Sequence, residues 1–352
     1  MGAIRTVDVN DRFICKHLRT GMHEVARTGW SMSGIGDEAG LDIRRQIQAH
    51  KLLGWNYIEP RKVNNIFGDP GNIVTIDDTS FEGVAQILRD ANMRVSGLAS
   101  GIANWEIEVT KPIKNDIALL ERAIPRMETL DTRFIRIMSW KWKHEAGKPL
   151  VPENEIGPLV ISRMRELIKP LAGTNIVALI ENCAGWAGDN AANFLRLMEE
   201  VDSPNLGFLY DTGNPVSYEK DPWELYQGVK PYIYAVHLKD ARWEAGQNSK
   251  TYTIRDNMAF EDSETYTYLG KGQGMVKEIV TDLLKSGYCG IFSSEPHIAA
   301  VIHKAKTASQ EELFGSYLLY GLGINKFMSE IEWEIKLGGF ALKDDVLNFA
   351  FE

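Results

Sequence analysis

Eight short runs of apolar or β-branched residues, each followed by an amphipathic stretch, organise this 352-residue sequence. The runs are Trp30–Ile35, Trp55–Glu59, Arg94–Ala99, Phe134–Ser139, Ile176–Glu181, Leu206–Asp211, Tyr232–Leu238 and Gly290–Glu295. Between them, Asp42–Leu53, Phe81–Ala91, Ile113–Leu130, Ile156–Leu171, Ala191–Val201 and Met275–Ser286 carry apolar residues near i, i+3 and i+4, the helical period. Strand then helix, repeated, implies a parallel sheet covered by helices, and eight such units in about 300 residues match a (β/α)8 barrel. A doubly wound open sheet is the alternative. Several runs end in a residue that binds metals or moves protons: Glu59, Glu181, Asp211, His237 (next to last) and Glu295. A barrel brings its C-terminal strand ends to one rim, so these residues favour the barrel.

The barrel is expected as one catalytic domain over 29–330, with an N-terminal arm at 1–28 and a C-terminal extension at 331–352. The extension carries Phe340, Leu342, Val346, Leu347, Phe349 and Phe351, read either as a helix on the barrel's outside or as an oligomer contact. The stretch Arg242–Gly272, polar and rich in Tyr and Thr, reads as a long loop shaping a pocket or an interface. With 39 Lys+Arg against 48 Asp+Glu the net charge is −9, which argues against a nucleic-acid partner because phosphate binding rests on a positive surface. No stretch approaches the roughly 20 apolar residues that span a bilayer, so no membrane partner is expected. Residues 1–5 lack the pattern of a signal peptide, and three scattered cysteines (Cys15, Cys183, Cys289) suit a reducing compartment without disulfides. A cytoplasmic location is the expectation.

Four segments carry the chemistry: Ile180-Glu181-Asn182, Tyr210-Asp211-Thr212-Gly213-Asn214, Val236-His237-Leu238-Lys239-Asp240 and Ser293-Ser294-Glu295-Pro296-His297. Each sets polar residues directly after apolar strand residues. A carboxylate buried there costs several kcal/mol unless a cation or hydrogen-bond donors compensate it. Three carboxylates and one imidazole converging at the rim therefore suggest one divalent metal. Oxygen and nitrogen donors without thiolate suit Mn²⁺, Mg²⁺ or Co²⁺, and Zn²⁺ less clearly. Singly, each residue is equally a helix cap, a salt-bridge partner or a structural histidine. The loops after the third, fourth and fifth strands hold Trp105, Trp140 and Trp186, whose faces suit sugar rings or planar aromatics, with core packing the alternative for any one of them. His144 follows the fourth strand in a polar run with Lys141 and Lys143, and reads either as a general base or as a solvated loop histidine.

On these residues the sequence resembles the xylose-isomerase-like barrel superfamily of sugar and sugar-phosphate isomerases and epimerases, from about Trp30 to about His303. The resemblance implies that the fifth to eighth strands supply a Glu, Asp, His and Glu to one divalent metal, matching Glu181, Asp211, His237 and Glu295 at intervals of 30, 26 and 58 residues. The Arg242–Gly272 stretch accounts for the long last interval. Leu269-Gly270-Lys271-Gly272-Gln273-Gly274 is similar to the family's glycine-rich turn before the final helix and strand. Two further positions depart from the free-ketose 3-epimerases: a Glu six residues after the first ligand and a His three after the second are here Ala187 and Asn214. Seven histidines also fall short of the three-metal abasic-site endonucleases.

Length, Trp-rich loops, the histidine after the fourth strand and the absent epimerase contacts look most like the catalytic subunit of bacterial C-glycoside deglycosidases. That resemblance implies proton abstraction next to the carbonyl of a 3-oxo sugar, then β-elimination releasing an aromatic aglycone. Sugar isomerisation or epimerisation through an enediolate is the alternative, and a non-catalytic sugar-binding subunit a more distant one. It further implies Mn²⁺ as the favoured metal and a small second subunit in a hetero-oligomer. His144 is the expected base, with metal-bound Glu181 or Glu295 able to double as acid or base. Lys143, Asn182, Asn214, Lys239 and His297 are expected to line the pocket with Trp105, Trp140 and Trp186.

Overall fold

The structure, a computed structural model, describes residues 30–144, 147–242, 266–297 and 309–337. The barrel strands are β1 (Ser31–Gly34), β2 (Tyr57–Ile58), β3 (in two pieces, Arg94–Val95 and Leu98–Ala99), β4 (Phe134–Ile137), β5 (Val177–Glu181), β6 (Leu206–Asp211), β7 (Ile233–Leu238) and β8 (Ile291–Ser294). Seven form one all-parallel sheet in the order β1-β8-β7-β6-β5-β4-β3. In the eighth place, β2 pairs in parallel with the first piece of β3 and meets β1 through a bridge between Ile35 and Glu59. The sheet thus curls into the expected barrel, and the open doubly wound alternative falls.

Helices follow the strands: α1 (Ile43–Leu52), α2 (Asp78–Asp90), α3 (Lys114–Thr129), α4 (Glu153–Leu167), α5 (Ala191–Val201), α6 (Asn214–Ser217), α7 (Pro222–Val229), α8 (Val276–Lys285) and α9 (Gln310–Lys336). Local chemistry starts several of them. Asp42, Asp77, Asn190 and Asp221 accept hydrogen bonds from first-turn N–H groups, and Ser309 forms a reciprocal capping box with Glu312 at the head of α9. The expected boundary at 330 falls inside α9. That helix packs Tyr317, Tyr320, Ile324, Met328 and Ile331 onto the barrel beside α1.

Strand periodicity sorts the core into two parts. On β5, Ala178 and Ile180 face the helices, while Val177, Leu179 and Glu181 face the barrel axis. The same parity sends Phe134, Leu209 and Ala235 inward, where with Val177 and Leu179 they form a separate apolar cluster that plugs the interior. Arg136, Glu181, Asp211 and His237 share that parity two residues nearer the C-terminal rim, so the polar site rests on an apolar floor. The N-terminal arm, most of the Arg242–Gly272 loop and the apolar residues of the C-terminal extension lie outside the described residues. Cys183 is a buried free thiol, whereas Cys289 is disulfide-bonded, against the expectation of no disulfide. Among the described residues no helix is long and apolar enough to cross a membrane.

Candidate metal centre

Glu181 ends β5, Asp211 ends β6, His237 lies in β7 and Glu295 directly follows β8. All four are buried, and one ligand atom from each lies within 4.8 Å of all the others. His237 Nδ1 is 3.1 Å from Glu295 Oε2, 3.7 Å from Glu181 Oε1 and 4.0 Å from Asp211 Oδ2. Its other nitrogen, Nε2, is 3.1 Å from both oxygens of Glu59, and Ser293 Oγ donates to Glu59 Oε2 at 2.6 Å. When His237 gives up its Nδ1 proton, a proton kept on Nε2 and donated to Glu59 leaves the Nδ1 lone pair toward the three carboxylates, the tautomer a metal-binding histidine needs.

Asp211 Oδ1 accepts from the backbone N–H groups of Gly213 (2.9 Å) and Asn214 (2.7 Å). Its Oδ2 is buried without a hydrogen bond, although Lys239 Nζ lies 2.9 Å away. A buried carboxylate oxygen short of donors, facing two further carboxylates and an imidazole, fits a divalent cation. Three cationic side chains flank the cluster: Arg136 Nη1 (3.3 Å from Glu181 Oε2), Arg61 Nη1 (2.9 Å from Glu295 Oε1) and Lys239 Nζ (3.1 Å from Glu295 Oε2).

These contacts set the protonation. Burial, with the Glu295 and Glu181 charges, pushes Asp211 up to about 7 against the pull of Lys239. Burial opposes charge on His237, but Glu59 and Glu295 outweigh it and raise its pKa well above the usual range. Burial likewise opposes ionisation of Glu295, yet Lys239, His297 and His237 hold it well below the usual carboxylate range. A divalent cation binding here displaces the protons that Asp211 and His237 hold.

The expected pocket residues divide. Trp105, Lys143, His144 and Asn182, with Trp142 and Tyr218, line a cavity of about 700 Å³ between the loops that follow β3 to β6. Lys143 Nζ lies 3.8 Å over the Trp142 ring. His144 is exposed on the cavity wall, and among the described residues no hydrogen bond or ion pair joins it to the four clustered residues.

Asn182 turns its amide to β6, donating to the Asp211 carbonyl at 2.8 Å and accepting from the Asp211 N–H at 2.6 Å. Asn214 Nδ2 donates to Glu181 Oε1 at 3.3 Å. His297 Nδ1 pairs with Glu38 Oε1 at 3.0 Å, beside the Tyr266 ring.

Two expected substrate contacts are corrected. Trp140 is fully buried, and its indole N–H donates to Asp116 Oδ2 at 2.8 Å while Asp116 Oδ1 accepts from the Ala103 N–H. It ties the loops after β3 and β4 together and offers no free face. Trp186 is buried in the main core, where apolar packing takes its ring.

Residue-type reasoning passed over Glu59, Arg61, Glu38, Arg136 and Trp142 as site residues. Arg136 carried a usable signal, a charge inside the apolar run Phe134-Ile135-Arg136-Ile137. Glu59 carried one too, as a fourth strand-end carboxylate.

A model of the xylose isomerase-like TIM barrel family matches residues 47–313 of the chain. An inosose dehydratase of Bacillus thuringiensis is 26% identical over 184 residues, which is 52% of this chain and 57% of that protein, so the chain spans little more than half that relative's length. A 2-epi-5-epi-valiolone 7-phosphate 2-epimerase of Actinoplanes sp. is 25% identical over 224 residues, 62% of this chain and 70% of that protein. Among solved structures, a xylose isomerase-like TIM barrel protein from Mycobacterium smegmatis in complex with magnesium superposes with a TM-score of 0.57 at 16% identity, covering 85% of this chain and 99% of that one. With a family model covering most of its length and a barrel to match, the chain belongs to the xylose isomerase-like TIM barrel family.

Proposed function

We propose that this chain is a divalent-metal-dependent enzyme that removes a proton next to the carbonyl of a keto sugar and then expels a leaving group by β-elimination. A 3-oxo C-glycoside bearing an aromatic aglycone is the preferred substrate. The observation that carries the reading is the convergence of Glu181, Asp211, His237 and Glu295 within 4.8 Å on the barrel axis. An ion held by these four, Mn²⁺ by preference with Mg²⁺, Co²⁺ or Zn²⁺ as alternatives, supplies Lewis-acid polarisation of the substrate carbonyl.

The chain's own residues do the rest. Glu59 holds the His237 ring in its tautomer, and Arg136 and Lys239 stabilise negative charge on the substrate oxygen from the barrel side. A carboxylate of Glu181 or Glu295, or the His144 imidazole across the cavity, takes the proton from C2. The C–H electron pair becomes the C1–C2 double bond, the C1–aryl bond breaks, and a proton is delivered to the departing aryl carbon. Trp105 and Trp142 provide aromatic faces for the aglycone, with the Lys143 ammonium beside them. A small second subunit completes the proposed assembly.

Elimination is favoured by the dehydratase among the sequence relatives and by Ala187 and Asn214 standing where ketose epimerases keep a Glu and a His. Epimerisation is the second reading, favoured by the Actinoplanes epimerase. Incubation with a 3-oxo C-glycoside is expected to release free aglycone. If free ketoses in heavy water instead acquire deuterium and a new configuration, epimerisation replaces elimination. Glu295→Ala is expected to lose both bound metal and activity, and retention of both would sink the ligand assignment; absence of a stoichiometric divalent ion from the unaltered protein would favour the non-catalytic sugar-binding role instead.

A further inference from the structure

Lys239 reaches two ligand carboxylates at once, sharing Glu295 Oε2 with His237 Nδ1 at 3.1 Å. Arg136 approaches Glu181 through Oε2, and Arg61 engages Glu295 through Oε1. Asp211 Oδ2 and Glu295 Oε2 face Lys239 Nζ instead, at 2.9 and 3.1 Å. The lysine is almost wholly buried, at 2% exposure, and its stem is seated: the backbone N–H donates to Thr212 Oγ1 at 3.1 Å, and Gly213 leaves room for the chain, since a Cβ there would lie 2.8 Å from Lys239 Cγ. A buried ammonium costs free energy unless its partners compensate it, and four carboxylates around His237 repel one another unless a cation is among them. Each requirement meets the other at this position.

From this geometry we infer that Lys239 is an internal counter-cation. It holds the ligand carboxylates together when no divalent ion is bound, and an incoming ion must displace it. The inference rests on the metal-site reading above and goes beyond it by giving Lys239 a role in metal loading in addition to its place beside the substrate oxygen. An ammonium and a divalent cation on the same two oxygens repel each other strongly in a buried site, and that repulsion drives the ammonium off as the ion enters. The Tyr266 ring, with its centroid 5.3 Å from Nζ, is the cation-binding surface toward which the displaced ammonium turns. A divalent ion therefore binds against the free energy of that displacement. Metal affinity is set partly by Lys239 and not by the four ligands alone.

Lys239→Met keeps the length of the stem and removes the charge. In chelator-treated protein it is expected to lower the melting temperature by several degrees, since the carboxylates lose their counter-charge. By calorimetric titration with MnCl2 at neutral pH it is expected to bind about tenfold more tightly than the wild type, because no ammonium has to be displaced. A simple packing defect would weaken binding, so tightening is the distinguishing result. If the variant folds only when Mn²⁺ is supplied, the inference is supported; failure to fold in saturating Mn²⁺ overturns it. Equal or weaker Mn²⁺ binding with wild-type binding intact overturns the inference and leaves the metal centre standing. Absence of Mn²⁺ binding in both proteins overturns the two together.

Discussion

Whether a polar residue at a strand end belongs to this site is decided by parity along its strand and by which atom it turns inward. Glu59 illustrates both. It stands one residue after β2, bridges to β1 through its backbone, and turns its carboxylate onto His237 Nε2 rather than into the ligand cluster. Glu59→Gln keeps the shape but replaces an acceptor pair with an amide able to present its own N–H to the ring. A looser or inverted imidazole is expected to weaken Mn²⁺ binding by about 10- to 100-fold with little loss of stability, measured by metal titration and thermal melting. Trp140 shows the limit of residue-type reasoning. A tryptophan after a strand end suits a sugar-binding wall as well as it suits a loop anchor, and only its contact with Asp116 separates the two.

At the scale of elements, the glycine-rich turn and β7 form one device. Asp240, two residues past the end of β7, accepts hydrogen bonds from the N–H groups of Gly270, Gly272 and Gly274 at 2.9, 2.9 and 3.0 Å. A Cβ on Gly272 would overlap both Asp240 Oδ1 and the Ala241 carbonyl, so the backbone approach requires glycine there. The turn was legible as a motif, whereas its partner was not, because the two are joined across some 30 residues and only by closeness in space. Asp240→Ala leaves these N–H groups without their acceptor and is expected to cost about 3 kcal/mol or more, measured by denaturant unfolding. A loss under about 0.5 kcal/mol would show that the turn holds itself.

The whole molecule closes through His50, which joins α1, β1 and α9. Its Nδ1–H donates to the Gln46 carbonyl at 2.8 Å, while Nε2, 3.2 Å from the Tyr317 hydroxyl, accepts from it. Burial lowers its pKa to about 4, against the opposing pull of the Gln46 and Gly34 carbonyls. Between about pH 4 and the ordinary value of 6.5 the unfolded chain holds a proton here and the folded chain does not, so stability falls as pH drops through that window. Above 6.5 both states are neutral and the residue adds no pH dependence. The full loss is about 3 kcal/mol, one pKa unit being about 1.4 kcal/mol. His50→Gln is therefore expected to show a shallower decline of unfolding free energy from pH 6.5 to 4 than the wild type, and equal slopes would refute the assignment.

The strand and helix rhythm, the barrel and the four ligand candidates were determined by the sequence itself. Side-chain periods of 2 and 3.6 are local properties, and strand ends converge whenever eight such units close. Tertiary structure alone decided the rest: that Glu59 orients His237, that Arg136, Arg61 and Lys239 surround the carboxylates, and that Trp140 and Trp186 belong to the core while Trp105 and Trp142 line the cavity. These are distances between residues tens to hundreds of positions apart, and burial and charge pairing depend on such distances rather than on the order of residues along the chain.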